Sequence, residues 1–123
     1  LDQPDALAFS PDRKTLYVTD TSRKIGGPGC HIHAFDVGRH GKLTGKRPFY
    51  STENGVPDGL AVDHRGWVWT TADNGIYVLD ASGCTLGFIP LPWSPTNCTF
   101  GGPESRRLFI TCREKLVALD LRD

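Results

Sequence analysis

The sequence predicts an all-β protein assembled from β-propeller blades, and three observations carry that expectation. Short β-branched and aromatic runs are separated by clusters of Gly, Pro and Asp, the punctuation of hairpins. A pattern of three successive strands recurs three times. No stretch reads as a helix, and the 123 residues contain fourteen Gly, nine Pro and no Met, a composition that favours turns.

The repeat orders the chain. Three segments open the units: Pro4-Asp5-Ala6-Leu7-Ala8-Phe9, Pro57-Asp58-Gly59-Leu60-Ala61-Val62 and Thr96-Asn97-Cys98-Thr99-Phe100-Gly101, the last with Asn in the acidic position. The turns that follow are Ser10-Pro11-Asp12-Arg13-Lys14, Asp63-His64-Arg65-Gly66 and Gly102-Pro103-Glu104-Ser105-Arg106. Second strands come next, at Leu16–Thr19, Trp67–Thr70 and Leu108–Thr111, all with the β-branched and aromatic residues that suit a pleated, half-buried surface. The third strands are Ile32–Asp36, Ile76–Asp80 and Leu116–Asp120. A fourth, outer strand is expected at Arg47–Tyr50 and at Leu86–Ile89, and the third unit ends before reaching one. The first unit also carries a Gly-rich insertion at Thr21–Cys30.

Antiparallel units of about 40 to 50 residues, none able to bury both faces alone, describe propeller blades. The approximate blades are 1–54, 55–93 and 94–123, together about two and a half to three four-stranded units. A ring typically needs about four to eight blades, so the remaining propeller half is expected in the same chain or as another chain.

Charge and composition exclude several functions. Fourteen Lys+Arg balance fourteen Asp+Glu, so no long-range field would gather nucleic acid or an anionic membrane. No apolar run reaches the roughly 20 residues of a membrane helix, and Leu1-Asp2-Gln3-Pro4 shows no basic and apolar leader. A cytoplasmic location is the expectation, with a periplasmic or secreted one left open. The four cysteines, Cys30, Cys84, Cys98 and Cys112, lack the paired spacing of a zinc site. Cys98 and Cys112 read either as a cross-hairpin disulfide or as small buried hydrophobes.

The chemistry points to the lead residues. Pro57 fixes φ before Asp58 and Gly59 permits close backbone approach after it, so Asp58 reads as a side chain aimed at a target. The alternative is a turn aspartate capping its own backbone. If the first strand of each unit lines the central channel, Asp5, Asp58 and Asn97 share one rim with the Thr21–Cys30 insertion, and the arginines of the turns lie opposite in solvent. Two carboxylates and a carboxamide make an all-oxygen set suited to a hard divalent cation, Ca²⁺ or Mg²⁺. A cation held there could activate a water to open an ester or lactone, with Asp58 taking the proton. His31, beside the insertion, is the histidine placed to touch substrate. His31 and His33 together form a weak H-x-H metal signal, and His40 and His64 fall in polar turns. Asn97-Cys98-Thr99 is a glycosylation sequon only if exposed on a loop, and Trp67 and Trp69 read as core.

These residues, taken together, resemble the gluconolactonase, regucalcin and senescence-marker-protein family. The carriers are Leu7-Ala8-Phe9-Ser10-Pro11-Asp12, Leu16-Tyr17-Val18-Thr19-Asp20-Thr21, His33-Ala34-Phe35-Asp36-Val37, Gly55-Val56-Pro57-Asp58-Gly59-Leu60, Asn97-Cys98-Thr99-Phe100-Gly101-Gly102 and Leu108-Phe109-Ile110-Thr111. The resemblance implies the C-terminal half of a six-bladed propeller that hydrolyses sugar lactones such as gluconolactone with a divalent cation, Ca²⁺ first, with Zn²⁺, Mg²⁺ or Mn²⁺ as other candidates. It places the metal-binding aspartate, also the candidate base, on Asp58, and a metal-binding asparagine on Asp5, where Pro-Asp-Ala replaces the family's Pro-Asn-Gly. Asn97 and His31 are then expected at the substrate. The family's glutamate ligand belongs to the N-terminal half and has no counterpart here, so the chain alone is expected to be catalytically incomplete. Two alternatives stand beside this: a non-catalytic propeller scaffold binding a cation or partner, and a related propeller esterase or phosphotriesterase.

Overall fold

A computed structural model describes residues 1, 4–21, 31–51, 57–72 and 74–121. Eleven strands fall into three antiparallel sheets. The first contains β1 (Pro4–Phe9), β2 (Thr15–Asp20), β3 (Ile32–Val37) and β4 (Leu43–Tyr50), in that order. The second contains β5 (Leu60–Val62), β6 (Val68–Ala72), β7 (Gly75–Leu79) and β8 (Thr85–Pro90), and the third β9 (Asn97–Gly101), β10 (Arg107–Cys112) and β11 (Lys115–Asp120). Each sheet is an up-and-down meander in which strands consecutive in sequence pair antiparallel. Helical structure among the described residues is limited to two three-residue 3-10 turns, Arg39–Gly41 and Pro103–Ser105. The expected all-β propeller architecture is what the chain adopts, with the outer strands β4 and β8 present and the third sheet one strand short.

Alternation along the strands explains how the sheets stack. In the second sheet Leu60, Val68 and Leu79 point one way, into a cluster with Tyr17, Ile32 and Ala34 of the first sheet. Their neighbours Ala61, Trp69 and Val78 point the other way, into a cluster with Cys98, Leu108, Ile110 and Cys112 of the third. A central blade covered on both faces needs apolar or satisfied residues at every position of its second strand, and β6 is buried throughout. Full burial of a side chain such as Ile76 contributes roughly 1.5–3 kcal/mol, so these two interfaces dominate the stability of the stack.

The outer faces differ. On β1 the residues between those facing the second sheet, Leu7 and Phe9, are 63% and 48% exposed. Leu116 on β11, at the other end of the stack, is 73% exposed. Large apolar side chains are thus open on both end sheets, whereas on the central sheet the exposed ones, Leu86 and Phe88, lie on its outer strand β8.

Cys98 and Cys112 are free and buried, and burial pushes the Cys98 thiol up to about 12. They behave as small hydrophobes of the second interface rather than as a disulfide. Trp69 lies in the same core, with Phe100 edge-on at 5.5 Å between ring centroids.

Candidate functional site

The rim where the innermost strands begin is shaped by irregular pairing. Between β1 and β2 the register slips between Pro4, opposite Asp20, and Leu7, opposite Val18. Two residues, Asp5 and Ala6, therefore face Thr19 alone, which is a β-bulge, and bulges re-aim side chains at sheet ends. Asp58 lies just ahead of β5, between a buried Pro57 and a buried Gly59. The two lead acids meet: the Asp5 and Asp58 side chains share a hydrogen bond. Two carboxyl groups can share one only if one of them keeps a proton. The Asp58 carboxyl is accordingly raised to about 6, first by that bond, then by burial and by the charge of Asp5.

Gly59 explains why the third blade comes so close. A β-carbon at this position would stand 2.3 Å from Asn97 Oδ1 and 2.5 Å from Asn97 Cα, so any larger residue would push the second and third blades apart. Asn97 thus sits against the residue following Asp58, and its Oδ1 accepts the Cys98 N–H at 2.9 Å. Register refines its place in the repeat. Thr111 is opposite Asn97, the Thr71 N–H bonds the Gly59 carbonyl, and Thr19 faces Ala6. By this count Asn97 corresponds to Gly59 and Ala6, and Thr96 corresponds to Asp58 and Asp5. The sequence pattern aligned Asn97 one position earlier, because the register between an inner strand and its neighbour is set by their pairing, which periodicity alone does not show.

His31 lies at the same rim, immediately before β3, where its carbonyl accepts the Asp20 N–H at 2.7 Å and its N–H donates to Tyr50 at 3.0 Å. His33 is buried within the sheet, and no partner meets its Nδ1. Burial, then the charge of Lys46, lowers its pKa, which Asp20 opposes. Among the described residues no three His, Cys, Asp or Glu side chains form a metal-binding group. The H-x-H pair therefore does not assemble one there. The Gly-rich insertion lies outside the described residues apart from Thr21.

At the opposite end, the turn arginines are less free than their polar surroundings suggest. Arg65 lies 3.6 Å over the Trp67 ring and pairs with Asp63 at 3.0 Å, and Arg106 pairs with Glu104 at 3.1 Å. A concavity of about 870 Å³ between the second and third blades is also at that end, lined by Arg65, Trp67, Phe100 and Arg106. The carboxyl pair is elsewhere, at the other end of β5, outside that concavity.

Fold and rim together define part of a β-propeller with paired acids where its first strands begin. The SMP-30/gluconolactonase/LRE-like region matches residues 1–114, and the chain belongs to that family. A lactonohydrolase of Aspergillus oryzae is 36% identical over 126 residues, covering 87% of this chain and 27% of the relative. The gluconolactonase of Zymomonas mobilis is 32% identical over 127 residues, covering 95% and 34%. Among solved structures, a gluconolactonase from Xanthomonas campestris superposes with a TM-score of 0.87 at 43% identity, covering 99% of this chain and 39% of that one. Regucalcin from Agrobacterium tumefaciens, described as a calcium-binding protein, gives 0.77 at 26% identity, covering 90% and 38%. The chain thus spans well under half the length of these relatives.

Proposed function

We propose that the chain supplies the Asp5–Asp58 wall of a divalent-cation site in a sugar-lactone hydrolase whose remaining blades lie outside it. The observation that carries this reading is the contact between two carboxyls at the channel rim, which costs energy unless a proton or a cation lies between them. Both donors are oxygen, the preference of Ca²⁺ and Mg²⁺, so the pair fits such an ion. A bound cation would polarise the lactone carbonyl and ease deprotonation of the attacking water.

Within that reading each residue has a distinct task. Asp58, half-buried and already inclined to hold a proton, accepts the one released by the water. Asp5 contributes a second negative oxygen, a stronger counter-charge than a carboxamide would give. Asn97, packed on Gly59, and His31, at the end of β3, face the lactone. The open faces bearing Leu7, Phe9 and Leu116 are covered by the further blades that complete the ring and the ligand set. The relatives named as lactonohydrolase and gluconolactonase support hydrolysis; the likeness to regucalcin supports calcium.

The test is lactone opening by the full-length protein with glucono-1,5-lactone, with Ca²⁺ added or removed by chelation. Asp58→Ala should lower kcat by about 10²–10⁴-fold, the usual contribution of a positioned base. Full activity in that variant would overturn the assignment. Calcium binding by calorimetry with no turnover of any lactone in a panel would instead favour a cation-binding scaffold.

A further inference from the structure

We infer that Thr19 is a positioning residue that fixes the spacing of the Asp5 and Asp58 carboxyls. The inference rests on the cation-site reading only for its consequence, since the geometry stands by itself. Each blade places a threonine opposite the start of its innermost strand. Thr71 Oγ1 accepts the Gly59 N–H at 2.8 Å and lies 3.4 Å from the Gly59 carbonyl. Thr111 Oγ1 lies 3.4 Å from the Asn97 carbonyl. In both, the hydroxyl works within its own blade.

Thr19 works across two. Its Oγ1 accepts the Ala6 N–H at 2.9 Å, closing the bulge that presents Asp5. A hydroxyl has one proton to give, and two carbonyls are in reach: Ala6 at 3.4 Å and Asp58 at 3.2 Å. The nearer belongs to the next blade. One side chain therefore ties the backbone beside Asp5 to the backbone of Asp58 itself. Thr19 is also fully buried, so water does not compete for these bonds. Loss of the hydroxyl would leave the Ala6 N–H and the Asp58 carbonyl each short of a partner and free the two rims to move independently. Groups that orient ligands from behind commonly change metal affinity 10–100-fold when removed.

The experiment compares wild type, Thr19→Val and Thr19→Ser in the full-length protein. Valine keeps the shape and removes the hydroxyl; serine keeps the hydroxyl. Crystal structures without added cation should show the Asp5–Asp58 contact intact in wild type and Thr19→Ser and broken in Thr19→Val. An unchanged contact in Thr19→Val overturns the inference. Calorimetry with Ca²⁺ should then give a Kd about tenfold weaker for Thr19→Val and within about twofold of wild type for Thr19→Ser. Equal weakening in both variants would assign Thr19 a packing role only and would also overturn it. Absence of Ca²⁺ binding in wild type, with the contact still dependent on Thr19, would sink the cation reading and leave the positioning role standing.

Discussion

Asp58 and Asp63 bracket one three-residue strand, β5, and their carboxyls are treated in opposite ways. Asp58, at the channel rim, faces another acid and is raised to about 6. Asp63, at the turn end, is 7% exposed and surrounded by donors. Its Oδ1 accepts the Arg65 and Trp67 N–H groups at 2.9 and 3.0 Å; its Oδ2 accepts Arg65 Nη2 and Trp69 Nε1, both at 3.0 Å. Burial alone would raise the Asp63 pKa, but the bonds from Trp69, Trp67 and Arg65 outweigh it and lower the value. A carboxylate with four donors holds a fold together. One pressed against another carboxyl is stable only while a proton or a cation is shared between them.

The contrast can be broken from the structural side first. Asp63→Ala should destabilise by about 3 kcal/mol, because it strands the Trp69 indole N–H in the core and opens the turn that starts β6. Urea denaturation measures it, and a loss below about 1 kcal/mol would mean that Asp63 is an ordinary turn residue. The pH dependence follows from the sign of the shift. A carboxyl whose folded pKa lies below its unfolded value, near 3.9, stabilises fully above that value and loses the contribution as pH falls through the folded pKa. The Asp63 contribution should therefore fade progressively as pH falls below about 4 in wild type and be missing at every pH in Asp63→Ala.

Gly59 adjoins Asp58 and sharpens the comparison, because a change there should strain the rim and the blade interface while leaving the donors of Asp63 in its own turn and strand. Gly59→Ala puts a methyl into Asn97, where the nearest atoms include backbone. The blades must separate, at a cost of about 2 kcal/mol. Calcium affinity in the full-length protein should fall with it, while the loss of stability as pH falls below about 4, the mark of the Asp63 network, should persist. Loss of both together would show that the two ends of β5 are not independent.

Much of this was legible in the chain. The repeat located the inner, middle and outer strands, since alternation and turn residues are local signals, and Pro-Asp-Gly located Asp58. The close approach at Gly59 was readable as a possibility of glycine, but its neighbour Asn97 was not, because that contact depends on how two blades stack. The register of each inner strand against its neighbour was invisible for the same reason, hence the one-residue difference at Asn97. The network of Asp63 was hidden within an ordinary Asp-His-Arg-Gly turn. Its only outward sign was that Trp67 and Trp69 share a strand face above Arg65, a pattern that suggests a stacked arginine once the turn is known to be tight. Thr19 counted as a β-branched strand former and Thr71 fell just past the expected second strand; the bonds of both hydroxyls to the preceding strand appear only in three dimensions.

The smallest expected effect concerns the sign of the Asp58 contribution. Its folded pKa, about 6, exceeds the unfolded value, so ionisation of the pair costs stability as pH rises from about 4 and the cost is complete above about 6. Asp58→Asn removes one charge and keeps the shape. Without added cation, the variant should be more stable than wild type at pH 8 by about 1 kcal/mol, a discounted figure because solvent reaches both carboxyls. At pH 4, where wild type already holds the proton, the difference should shrink towards zero. Saturating Ca²⁺ should reverse the order at pH 8, since only wild type offers both carboxylates to the ion. Urea titrations at the two pH values, with and without the ion, separate these outcomes. A variant that is less stable than wild type at pH 8 without cation would show that Asp58, like Asp63, is held by donors, and the distinction between the two ends of the strand would fall.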